Sequence, residues 1–63
     1  MSEQKSILEY FSYQHLPAHL QKVSKPFCDL AVLIESTGND PRETAVALRK
    51  LLEAKDAAVR SAL

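Results

Sequence analysis

One glycine, one cysteine, no tryptophan and no net charge leave this 63-residue chain few routes to a stable fold or to covalent chemistry. A single glycine cannot build a glycine-rich loop around a phosphate. The lone Cys28 cannot close a disulfide within the chain, and the four-ligand spacing of a structural zinc site is missing. Eight basic side chains are balanced by eight acidic ones, so the chain lacks the basic face that sequence-independent DNA binding uses to displace counterions. The opening Met1-Ser2-Glu3-Gln4-Lys5 is not followed by an apolar segment of signal-peptide type. No apolar run approaches the roughly eighteen residues of a membrane span. No DNA, membrane, metal or cofactor is therefore expected as a partner, and a cytoplasmic location is.

What is present is one small domain, residues 1–63, 46% apolar and 25% charged. A chain this short buries little apolar surface against an ordering cost of roughly 1.5 kcal/mol per residue. With disulfide and metal excluded, self-association is the remaining common source of stability.

The patterning is helical throughout, with no strand alternation, and the expected fold is all-α. Residues 1–5 are expected to be loosely ordered. Ser6-Ile7-Leu8-Glu9 has capping-box spacing and predicts a short helix from Ile7 to Phe11. Leu20, Val23, Phe27, Leu30 and Ile34 recur at three- and four-residue steps, one face of a helix from Pro17 to Ser36. Pro26 interrupts that segment, so either the helix kinks there or a new one begins with Ser24 as its cap. The unbroken register favours the kink. Gly38 and Asn39, both tolerant of left-handed backbone, mark the hairpin turn. Asp40-Pro41-Arg42-Glu43 then supplies an N-cap, a proline at the first helical position and a glutamate at the third. The last helix runs from Pro41 to Ala62 without an interior proline or glycine.

That last helix carries two apolar stripes. Ala45, Leu48, Leu52 and Val59 form one. Ala47, Leu51, Ala54, Ala58 and Ala62 form the other, with small side chains that permit close approach of another helix. Together they exceed what a two-helix hairpin covers, so the second stripe is expected to be buried between copies of the chain. Arg49, Glu53, Asp56 and Arg60 line the remaining face, where Arg49–Glu53 and Asp56–Arg60 have ion-pair spacing.

Three of the four aromatic residues fall in Tyr10-Phe11-Ser12-Tyr13-Gln14-His15-Leu16-Pro17, just before the long hairpin. Two readings are open. Phe11 or Tyr13 can close the end of the core, with His15 on the surface. Alternatively, a ring offers its flat face to a nucleobase while a hydroxyl and an imidazole bond its edge or a phosphate. His15 and His19 share metal-ligand spacing, but Pro17 separates them and two ligands do not complete a zinc site. Cys28, near the apolar Phe27 and Leu30, reads as a packed thiol. Lys55 falls on an apolar stripe, where its ammonium either snorkels past the seam or meets an anion between protomers.

The order Phe11-Ser12-Tyr13-Gln14-His15-Leu16-Pro17, an amphipathic helix, Arg42-Glu43-Thr44 opening a second helix, and Glu53-Ala54-Lys55-Asp56-Ala57-Ala58-Val59-Arg60 near its end resembles a known family. That family is the helical hairpin domain shared by the second class of phage anti-CBASS proteins and the first class of Thoeris anti-defence proteins. The resemblance spans Phe11 to Ala62. It implies a sponge: a protein that sequesters a cyclic nucleotide immune messenger without cleaving it, in the host cytoplasm during infection. It also implies a homo-oligomer, expected as a hexamer, with ligand pockets between protomers. The ligands implied are cyclic dinucleotides and cyclic trinucleotides, with a cyclic ADP-ribose isomer as a further candidate. By this resemblance Tyr13 stacks on a base, Lys25 meets a phosphate and Arg60 serves the larger cyclic ligands. Phe11, His15, Pro17 and Lys55 complete the expected ligand-binding set. The alternatives are a self-assembling helical interaction protein without a nucleotide ligand and, as the lesser reading, a small enzyme using His15, His19 or Cys28.

Overall fold

The computed structural model describes residues 7–63, all helix and connecting turns, with no strand among the described residues. Ser6 and the stretch 1–5 lie outside them. A 3₁₀ helix, Ile7–Phe11, precedes α1, Ala18–Thr37, and α2, Pro41–Ala62. The two long helices pack against each other across a three-residue turn, and the 3₁₀ helix packs on both.

Each boundary has a local cause. The carbonyl of Pro17 accepts from the N–H groups of Leu20 and Gln21 at 2.9 and 3.0 Å. Pro17 is therefore the N-cap, and α1 begins one residue after its expected start. At the other end the Ser36 and Thr37 hydroxyls donate to the Leu33 carbonyl at 3.0 and 2.8 Å, and the Gly38 N–H donates to the Ile34 carbonyl at 3.0 Å. The Gly38 bond occupies a carbonyl that the helix end leaves free, while the two hydroxyls share the carbonyl just before it. The Asp40 carboxylate caps α2 by accepting from the Arg42 N–H at 3.0 Å and, more weakly, the Glu43 N–H at 3.4 Å. Pro41 occupies the first turn, where its missing N–H costs nothing.

One expectation and the less favoured of two open readings are set aside here. Gly38 is not left-handed: its φ is −73° and ψ 132°, and no described residue has positive φ. Glycine is required instead by close approach, because a Cβ at this position would overlap the Thr44 Oγ1 and lie 3.1 Å from both the Ile34 carbonyl oxygen and the Thr44 Cβ. Nor does Ser24 cap a new helix. α1 runs unbroken through Pro26, and Ser24 is fully buried inside it.

The core centres on Phe11, Ala31 and Leu48, with Ile7, Leu8, Phe27, Cys28, Ile34, Leu51 and Leu52 packed around it. The buried side of α1 is Leu20, Ser24 and Ala31, whereas Leu30 is 43% exposed. At about 100° per residue, the expected stripe of large apolar side chains is centred roughly 60° away from the side that faces α2. The small side chains of Ser24 and Ala31 lie at the centre instead. On α2 Leu48 is buried and Leu52 and Val59 are half-buried, but Ala45 is exposed.

The Ser24 Oγ is buried without a hydrogen-bond partner. An orphaned hydroxyl carries a desolvation cost that a methyl group does not. Ser24→Ala is therefore expected to stabilise the fold by about 1 kcal/mol, read as a raised melting temperature. A lowered one would mean that the hydroxyl has a partner in solution.

Candidate functional site: a tyrosine ring and a lysine on the first long helix

Immediately before α1 the chain makes a turn, closed by the Leu16 N–H donating to the Tyr13 carbonyl at 3.0 Å. Gln21, on the first turns of α1, reaches back to this segment. Its amide Nε2 donates to the Leu16 carbonyl at 2.8 Å and the Gln14 carbonyl at 3.3 Å. The turn is thus tied to the helix, which fixes the half-buried Tyr13 beside the exposed Lys25. The Lys25 ammonium nitrogen stands 6.0 Å from the centroid of the Tyr13 ring, at the outer limit of a cation–π contact.

Lys25 also pairs with Asp29, one turn further along α1, at 2.8 Å, both side chains more than half exposed. The hydrogen bond to Asp29, reinforced by the carboxylate's charge, holds the Lys25 pKa above its ordinary 10.5. A raised lysine pKa stabilises the charged folded form below the unfolded value, and that contribution disappears only as pH climbs past the folded one. The ammonium is therefore charged throughout the neutral range.

The other expected site residues are distributed differently. Phe11, expected among the ligand-contacting residues, has no exposed surface and forms the centre of the core. A ring with no accessible face cannot stack on a base, and Phe11 is removed from the site. His15 and Pro17 are exposed around the Tyr13 turn. His15 precedes α1 and His19 lies in its first turn, so the two do not share one continuous helix. Among the described residues no group of three or more histidine, cysteine or acidic side chains is arranged to hold a metal ion. Cys28 is half-buried against the core.

On α2 the Lys55 side chain is only 13% exposed, and its ammonium pairs with Asp56 at 3.3 Å. Arg60 is exposed in the last turn of α2, where its charge complements the helix dipole. The expected pairs Arg49–Glu53 and Asp56–Arg60 do not form among the described residues, since Asp56 takes Lys55 instead. Exposed pairs of this kind contribute only tenths of a kcal/mol, too little to dictate geometry.

Of the expected binding residues, the fold brings Tyr13 and Lys25 together. Residue-by-residue reading missed Gln21, which ties the turn down, and Asp29. The four-residue spacing of Lys25 and Asp29 was the available signal. Two open concavities lie at the other end of the hairpin, near Gly38 and Thr44, and neither includes Tyr13 or Lys25. Among the described residues, therefore, neither concavity encloses the ring and the cation.

No helix among the described residues is long and apolar enough to cross a membrane. Compared with protein-family models, curated proteins and solved structures, the chain matches none of them.

Proposed function

We propose that the protein is a sponge for a cyclic oligonucleotide messenger, binding it between copies of the chain and holding it without cleavage. The observation that carries this reading is the Tyr13 ring with the Lys25 ammonium 6.0 Å from its centroid. That pair offers a flat face to a base and a fixed positive charge to the adjoining phosphate. The family resemblance of the Phe11–Pro17 motif supports the same assignment. No catalytic residue is required.

The open geometry of the site is an argument for assembly. Stacking contributes about 1 to 3 kcal/mol per base, and a charge-assisted hydrogen bond about 1.5 to 3 kcal/mol. One such set, about 2.5 to 6 kcal/mol, reaches only the low end of an association cost of about 4 to 15 kcal/mol. Two sets related by a two-fold axis match the two bases and two phosphates of a cyclic dinucleotide and also supply an enclosing wall. Arg60 remains the candidate for larger, cyclic trinucleotide ligands, the largely covered Lys55 the candidate for an anion between protomers, and a cyclic ADP-ribose isomer presents related chemistry.

The surface contains a band suited to such assembly. Ile7 lines a concavity with Glu35 and Ala45, which places the 3₁₀ helix along one edge of the α1–α2 pair. On the helical wheel Leu30 of α1 and Ala47 and Ala54 of α2 fall on the other edge, and Leu33 lies beyond Leu30 toward the outer side of α1. All four are exposed, Leu33 to 55%, while Leu51, Ala58 and Ala62 of the expected interface are half-buried. In the proposed assembly, expected as a hexamer in the host cytoplasm, this band lies between protomers. Leu33→Glu is expected to shift the particle to monomers in light scattering. An unchanged mass would remove Leu33 from any interface.

Calorimetric titration with a cyclic dinucleotide, a cyclic trinucleotide and a cyclic ADP-ribose isomer tests the reading. Tight binding of a cyclic dinucleotide at one ligand per two chains is expected, and no heat with any of them would refute it. The same apolar band favours a second reading, a self-assembling interaction protein without a nucleotide ligand. In that case the assembly forms and the titrations are silent.

A further inference from the structure

Resting on the ligand assigned above, we infer that Asp29 is a specificity residue, which sets the charge of the phosphate group that Lys25 accepts and so favours phosphodiesters over terminal phosphate monoesters. The argument begins with the pair itself. A carboxylate 2.8 Å from the Lys25 ammonium offsets part of that charge. An anion that hydrogen-bonds the same ammonium must sit within about 4 to 5 Å of the Asp29 carboxylate, given ordinary hydrogen-bond lengths. Lysine has three donors, so the anion can join without displacing Asp29. It does so against direct repulsion.

That repulsion scales linearly with the charge on the anion. A phosphodiester carries one negative charge, and a terminal monoester carries close to two above neutral pH. The Tyr13 ring is indifferent to this distinction, because a base stacks equally well in either ligand. Lys25 alone would favour the doubly charged group. With Asp29 beside it, the attraction of the extra charge to the ammonium is offset by its repulsion from the carboxylate. Together the three side chains read a base next to a singly charged phosphate, which a cyclic dinucleotide presents twice, whereas the linear form presents it once and carries a terminal monoester in place of the second.

The test compares the wild type and Asp29→Asn with two probes at pH 8 and low salt: a cyclic dinucleotide, and the linear dinucleotide that bears a 5′-monoester. Asp29→Asn is expected to tighten binding of both, with the linear probe gaining more. The preference for the cyclic form should then fall by about two- to fivefold, on the scale of one screened charge at this distance. Asp29→Glu, which keeps the charge within reach of Lys25, should keep the preference. The difference should vanish near 1 M salt, where the screening length is about 3 Å. If Asp29→Asn leaves the preference unchanged, or weakens both probes, Asp29 only positions Lys25 and the inference is overturned while the sponge reading stands. If neither probe binds either protein, both are overturned.

Discussion

Phe11→Ala should abolish the cooperative unfolding transition of the protein at physiological temperature. Phe11 is fully buried and joins the 3₁₀ helix to Ala31 on α1 and Leu48 on α2. Truncating a buried phenylalanine costs about 3 to 5 kcal/mol. A chain of this length holds only about 3 to 9 kcal/mol of stability at the usual 0.05 to 0.15 kcal/mol per residue. The loss thus consumes from about a third to all of what is available, and no other side chain described from the N-terminal segment reaches as far into the core. Thermal unfolding followed by circular dichroism reads the effect, with Phe11→Leu as the milder comparison that retains most of the volume. A Phe11→Ala variant that melts like the wild type would place the ring outside the core in solution.

The second large effect is expected at the opposite kind of residue. Tyr13→Ala and Lys25→Ala each remove a surface group that no core packing depends on, so folding and assembly should persist while ligand affinity collapses. A lost stack at about 1 to 3 kcal/mol corresponds to roughly five- to 150-fold in affinity. Loss of the charged contact has a similar size. In a two-fold site each substitution acts twice on one ligand, and about 10² to 10³-fold weakening is expected for either variant, measured by calorimetry. Tyr13→Phe should retain most of the affinity, since the flat face is kept. Affinity unchanged in both alanine variants, with the ligand still bound, would move the site elsewhere, to Arg60 and Lys55 first.

Local signals in the sequence carried much of this architecture, and the reasons are specific. Asp40-Pro41-Arg42-Glu43 predicted the start of α2 because capping depends on neighbouring side chains alone, and the Asp40 carboxylate does accept the Arg42 and Glu43 amides. The continuous apolar register across Pro26 likewise anticipated an uninterrupted α1. What misled were features settled by tertiary approach. The size of Leu30 marked it for the core, yet Ser24 and Ala31 occupy the buried side because small groups let α2 and Phe11 come close. Gly38 looked like a left-handed residue, whereas its space is taken by Thr44, six positions on.

The candidate site divides in the same way. Tyr13 and His15 stood out as an aromatic and imidazole cluster, but periodicity offers no reason for Tyr13 to meet Lys25. That meeting depends on the turn closed by the Leu16 N–H and tied down by Gln21. The spacing of Lys25 and Asp29 was legible, and its meaning emerges only once the ring is seen beside it.

The central claim, capture without cleavage, is tested most directly by loading the protein with a cyclic dinucleotide, removing unbound ligand, denaturing by heat and identifying what is released. The account predicts recovery of the intact cyclic form at about one molecule per two chains, unchanged after prolonged incubation. Release of a linear product, or no ligand carried through the removal step, would contradict it.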